Sequence, residues 1–121
     1  MSHPFTYVEL HTDDPAAASA FYRHLFDWQV KESATPAGPY VALEPGEGMS
    51  GGLRRAASGP SRWVVYVRVA DVAAATERAI ALGARALVTR QEVPNLGWFS
   101  LCVDPAGATF GLWQAMAARE P

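Results

Sequence analysis

One cysteine, Cys102, stands among 121 residues, which excludes an internal disulfide framework and any multi-cysteine zinc site. No apolar run approaches the ~18 residues needed to cross a bilayer. The first residues also have neither the basic segment nor the apolar stretch of a signal peptide. Charge of one sign is equally scarce: ten basic against twelve acidic residues leave a net charge of −2, so nothing draws the chain as a whole to nucleic acid or to an anionic membrane. Arg54, Arg55 and Arg62 read as a short solvated cluster rather than a nucleic-acid stripe. Phosphate loops are missing too, because Gly46, Gly48, Gly51 and Gly52 lack both the Lys-Ser/Thr partner and the strand-to-helix context. There is no Gly-x-Ser-x-Gly elbow for a serine nucleophile. These absences lead us to expect a cytoplasmic protein with neither a nucleic-acid nor a membrane partner.

What is present is enough for one domain over residues 1–121. Half the residues are apolar, and 13 are aromatic. Alanine contributes 22 of the apolar residues, so the core must come from the larger aliphatics and the rings. The chain reads as one motif written twice. Phe5 to His11 alternates like a strand, Asp14 offers a helix cap ahead of Pro15, and a helix follows to Phe26. Its buried face is predicted to be Ala18, Phe21, Tyr22 and Leu25. A second strand runs from Arg62 to Val69, Asp71 caps, and a helix from Val72 to Leu82 ends at Gly83. An offset of 57 superposes Asp14 on Asp71 and Leu25 on Leu82, which is the mark of an internal repeat. Three strands are predicted after each helix: Trp28–Glu32, Pro39–Glu44 and Gly51–Arg55, then Ala84–Thr89, Trp98–Val103 and Thr109–Ala115. Module one thus covers about 4–55, a linker about 56–61, and module two about 62–116, each in the order β-α-β-β-β. Only the last few residues read as disordered.

Ordered motifs along this pattern resemble the vicinal oxygen chelate superfamily, which includes glyoxalase I, bleomycin-resistance proteins and extradiol dioxygenases. They are Val8-Glu9-Leu10-His11-Thr12-Asp13-Asp14-Pro15, Phe21 through Trp28, Gly51-Gly52-Leu53, Asp71-Val72-Ala73-Ala74, Leu82-Gly83-Ala84, and Asp104-Pro105-Ala106-Gly107-Ala108-Thr109-Phe110. The resemblance implies an α+β fold in which two βαβββ modules form a curved mixed sheet around a cavity, usually in a homodimer. It also implies four metal-ligand positions. Carried over, three of these fall on Tyr7, Val64 and Gly111, which are poor or impossible ligands for a divalent ion. Only Glu44 fills its expected place. We therefore expect no metal and no other cofactor.

If Tyr7 faces inward, period-two alternation sends Phe5, Glu9 and His11 the same way. Tyr40, Ala42 and Glu44 form a wall beside them. The repeat turns Val64, Tyr66 and Arg68 inward in module two, with Thr109, Gly111 and Trp113. Trp98 follows Pro94-Asn95-Leu96 and is a rim candidate. The expected ligand-binding residues are Tyr7, Glu9, Glu44, Tyr66, Arg68, Trp98 and Trp113, a mixture of rings and a few polar groups that suits a small molecule. Arg68 or Tyr66 is the expected partner for Glu9. His11 is placed at the rim near the helix cap, with a His11–Glu9 metal pair as the less favoured option. His3 and His24 read as solvated, Trp28 as core, and Cys102 as an inert buried thiol. The leading expectation is a metal-free protein that sequesters or recognises a partly aromatic molecule. The rival is a glyoxalase-type lyase or isomerase with Glu9 or Glu44 as base; bound metal would point instead to a metal-dependent dioxygenase or lyase.

Overall fold

The computed structural model describes residues 2–35 and 38–116; the last few residues, expected to be disordered, lie outside the described residues. The fold is α+β, in two βαβββ modules. The first contains β1 (Phe5–Thr12), α1 (Pro15–Phe26), β2 (Gln29–Thr35), β3 (Gly38–Glu44) and β4 (Gly51–Arg55). The second contains β5 (Arg62–Arg68), α2 (Val72–Ala81), β6 (Arg85–Val93), β7 (Gly97–Val103) and β8 (Thr109–Ala115). By compactness, Tyr7–Val64 form one unit, and the residues up to Thr6 join those from Val65 onward in the other.

The repeat extends to sheet topology. Within the first module the strand order is β2-β3-β4-β1, and within the second it is β6-β7-β8-β5. Each first strand runs parallel to the fourth strand of its module, and the other pairs are antiparallel. Both helices start the same way. Asp14 Oδ1 accepts the Ala17 N–H at 3.1 Å, and Asp71 Oδ1 accepts the Ala74 N–H at 3.1 Å, each satisfying an amide that the first helical turn leaves open. They end differently. Asp27 takes a left-handed φ of 56° and donates its N–H to Arg23 O, whereas α2 leaves through Gly83 at φ 108°, where the missing Cβ removes the steric cost.

The strands of each module bury one face against that module's helix. In the first module Leu10, Val41, Leu43 and Leu53 form the buried core, with Ala18, Tyr22, Trp28 and Val30 packed on it. In the second, Val72, Cys102 and Leu112 are covered by Val69, Ala75, Trp98 and Phe110. Fully burying a side chain such as Leu53 contributes about 1.5–3 kcal/mol. Thr76 and Ser100 are also wholly buried. Their hydroxyls bond at 2.7 Å, Thr76 donates to Val72 O, and the Arg90 N–H donates to Ser100 Oγ, so neither is left unsatisfied.

The predicted buried face of α1 is corrected. Ala18 and Tyr22 meet the sheet, but Phe21 and Leu25 are 58 % and 56 % exposed. The helix touches the core through residues one turn apart, which leaves the flank of its apolar stripe outside. Phe21 instead sets its ring edge-on against Tyr22, with centroids 4.9 Å apart. No helix among the described residues is long and apolar enough to cross a membrane.

Candidate functional site

In the first module, the strand face away from α1 carries the polar residues. Alternation on β1 turns Val8, Leu10 and Thr12 one way and Tyr7, Glu9 and His11 the other. Parallel register sets Glu9 beside Gly52 and His11 beside Arg54. Antiparallel register then adds Tyr40 beside Arg54 and Ala42 beside Gly52. Residues of three strands therefore share one surface: Tyr7, Glu9, His11, Tyr40, Ala42, Gly52 and Arg54.

Glu9 is the hub. It is 5 % exposed, and a carboxylate buried that deeply needs partners. His11 Nε2 lies 2.7 Å from Glu9 Oε1, and the Tyr40 hydroxyl donates to Oε2 at 2.9 Å. An ionised carboxylate only accepts, so Nε2 carries the hydrogen in this pair. Tyr7 bonds to the Tyr40 hydroxyl. Because Tyr40 commits its single hydrogen to Glu9, Tyr7 is the donor in that pair, and the chain of bonds runs Tyr7 to Tyr40 to Glu9. The Arg54 guanidinium lies 3.8 Å from Glu9 Oε1. Burial pushes the Tyr7 phenol up to about 12; the Tyr40 bond works against the rise, and the charges of Glu9 and Glu44 add to it. Burial, then the Glu9 charge, raises the Tyr40 phenol well above the ordinary tyrosine range. Both phenols remain protonated donors at neutral pH.

Gly52 makes the arrangement possible. A Cβ there would fall inside the space of the Tyr40 and Tyr7 hydroxyls, so the two rings lean over a backbone without a side chain. The second module has a counterpart at Gly111, in register with Tyr66. A Cβ on Gly111 would run into the Tyr66 ring.

The sequence-predicted residues are distributed as follows. Tyr7 and Glu9 belong to the cluster. Glu44 ends β3 exposed and acts on Tyr7 through its charge. In the second module Tyr66 is 4 % exposed and packs edge-on against Phe99 at 6.1 Å. Arg68 is exposed, and its carbonyl oxygen lies 3.2 Å from His3 Nδ1. Trp113 is half-buried and shares strand parity with Gly111. Trp98 lies on the other face of its sheet, against the Val72–Cys102–Leu112 core, with the Arg90 guanidinium 5.3 Å over its ring. His24 is exposed and bonded to Ala20 O, and Cys102 is fully buried, its thiol pushed up by that burial.

Two placements correct the sequence reading. His11 is not at a rim: it is 3 % exposed and bonded to Glu9, because the parity that pairs it with Glu9 turns both onto one buried face. Arg54 is not part of a solvated cluster, since β4 alternation turns it onto the Glu9 face while Arg55 turns outward and donates to Asp13 O at 2.7 Å. The signal for Arg54 was the Gly52-x-Arg54 parity, readable only once β4 is known to run parallel to β1.

The donors present do not fit the divalent metal that the fold family implies. The space beside Gly111 belongs to the Tyr66 ring, Val64 is a wholly buried aliphatic, and the Tyr7 phenol is bonded to Tyr40. Glu9 and His11 supply two donors that face each other. No three His, Cys, Asp or Glu among the described residues gather as a metal would require.

Paired modules with a first-to-fourth parallel strand pair and a polar, ring-lined sheet face define a protein of the vicinal oxygen chelate superfamily. A family model described as "Glyoxalase-like domain" matches residues 7–113, and the chain belongs to that family. It is 31 % identical over 116 residues to the Mycobacterium tuberculosis protein "Putative glyoxylase CFP32", covering 90 % of this chain and 44 % of the relative. To the Streptomyces peucetius "Anthracycline biosynthesis protein DnrV" it is 27 % identical over 125 residues, covering 89 % of this chain and 46 % of that one. The chain thus spans about half the length of the curated relatives it matches. Among solved structures, hypothetical protein BH1468 from Bacillus halodurans superposes with a TM-score of 0.73 at 10 % identity over the whole of both chains. Methylmalonyl-CoA epimerase from Mycobacterium tuberculosis does so at 0.68 and 15 %, over 93 % of this chain and 88 % of that one. At these identities the likeness is one of fold.

Proposed function

We propose that this chain is a metal-independent small-molecule-binding protein of the glyoxalase and bleomycin-resistance type, holding a partly aromatic organic ligand on the Tyr7–Glu9–Tyr40 face of its first module. One observation carries the reading: the buried carboxylate of Glu9 is supported by protein donors, His11 and Tyr40, beside the Tyr7 position where the fold family implies a metal ligand. Phenol rings supply apolar area, and their hydroxyls supply orientation. The relative named for anthracycline biosynthesis supports a small organic ligand. We further propose a cytoplasmic homodimer, in line with the single cysteine and the fold family's habit.

The test is a thermal-shift survey of aromatic organic compounds in the presence of a chelator. A ligand specific to the native state stabilises it by about 2.7 kcal/mol at a hundred times its Kd. The expected result is a set of aromatic hits whose effect shrinks in Tyr40→Phe. No hit, or hits that appear only with added divalent metal, would overturn the reading.

A second reading rests on the bond chain from Tyr7 through Tyr40 to Glu9. A lyase or isomerase would use Glu9 to take a proton, with the Tyr7 hydroxyl turning from Tyr40 to donate to a developing oxyanion. Glu9→Gln separates the two: an enzyme loses turnover while still binding, whereas a pure binder changes only in affinity.

A further inference from the structure

We infer that Arg54 anchors a carboxylate on the ligand, so that the small molecule taken by the first module is a planar aromatic acid. This rests on the binding reading above and specifies the ligand's chemistry. Three arginines flank the linker, and the structure treats them differently. Arg55 donates to Asp13 O, and Arg62 donates to Ser58 O and Pro60 O; these two pin loop backbone. The Arg54 guanidinium makes no hydrogen bond to a described residue, although the side chain is only 25 % exposed. Its nearest counter-charge, Glu9 Oε1, is 3.8 Å away, beyond hydrogen-bond reach. Both Glu9 oxygens already accept short bonds from His11 and Tyr40.

A guanidinium on a partly covered side chain, held 3.8 Å from its counter-charge, gains from an acceptor that its fork can reach. The planar fork matches a carboxylate bidentately, as an ammonium group would not. Register places Arg54 between Tyr40 and His11, so the charged fork stands in a row of planar side chains. A ring bearing a carboxylate satisfies both features at once.

The experiment is an NMR titration of the isotope-labelled protein with benzoate and, separately, with benzamide, which has the same shape and no charge. We expect benzoate to shift the Arg54 side-chain signal and the amides of Tyr40 and Gly52, binding at least about 10-fold more tightly than benzamide. In R54Q benzoate should weaken about 10- to 100-fold, the usual weight of a hydrogen bond to a charged group, and lose its preference over benzamide. Equal affinity for the two compounds in the unaltered protein overturns the Arg54 assignment and leaves the binding reading standing. If neither shifts first-module amides at millimolar concentration, both fall. The benzoate–benzamide comparison decides even if R54Q fails to fold.

Discussion

Replacing Gly52 by alanine tests whether the polar cluster is held as tightly as the structure indicates. The new methyl group lands in the space of the Tyr40 hydroxyl, its ring carbon Cζ and the Tyr7 hydroxyl. Both rings must swing away, and the Tyr40 bond to Glu9 at 2.9 Å goes with them. Overpacking of this kind costs about 1–3 kcal/mol. Losing a hydrogen bond to a buried carboxylate adds about 1.5–3 kcal/mol. Together these give about 2.5–6 kcal/mol, a large part of the ~5–15 kcal/mol available to a domain. The Tm should fall by about 10–20 °C at this size. Calorimetry and urea unfolding read the change directly. Tyr40→Phe alone removes the bond without the clash and should cost about 1.5–3 kcal/mol. The double variant should cost less than the sum of the two, because both changes break the same bond. A loss below about 1 kcal/mol for Gly52→Ala, or strict additivity in the pair, would refute the argument.

Two further outcomes follow from the same geometry. Tyr7 is raised from the ordinary 10.0 to about 12 in the folded state, so the fold favours its neutral form; this contribution is present in full below pH 10 and is lost as pH rises from 10 to 12. Phenolate absorbance should show Tyr7 and Tyr40 titrating late in the native protein and normally in urea, with Tyr40→Phe removing one late step; titration of every tyrosine near pH 10 in the native state would contradict the burial. Cys102 is 0 % exposed with a raised pKa, so thiol reagents should modify it only as the protein unfolds, and rapid labelling of the native protein would show that its helix–sheet layer opens.

Local chemistry made the fold readable. Aspartate caps at 14 and 71, the alternation of Phe5 to His11, and the Gly83 exit each declare an element without tertiary help, and the repeat doubled every signal. Boundaries moved where pairing decides them. β6 continues to Val93 because it pairs with β7 as far as Gly97, and no feature of Thr89 announces that. The site was half visible. Parity alone put Tyr7, Glu9 and His11 on one face and named Tyr40 as a neighbour. Which groups would meet Glu9 was not readable, since Tyr40 and Arg54 reach it through registers between β3, β4 and β1 that no local signal encodes. The exposed Phe21 and Leu25 teach the converse lesson. Helical spacing defines a stripe, but how much of it is covered depends on the surface that it meets.

The most direct test of a metal-independent site is elemental mass spectrometry of the purified protein after incubation with Zn, Ni, Fe, Mn and Co. The account predicts metal far below one ion per chain, with ligand binding undiminished by chelator. Near-stoichiometric metal that disappears in Glu9→Gln or His11→Ala would contradict it, and would make that buried pair a metal site.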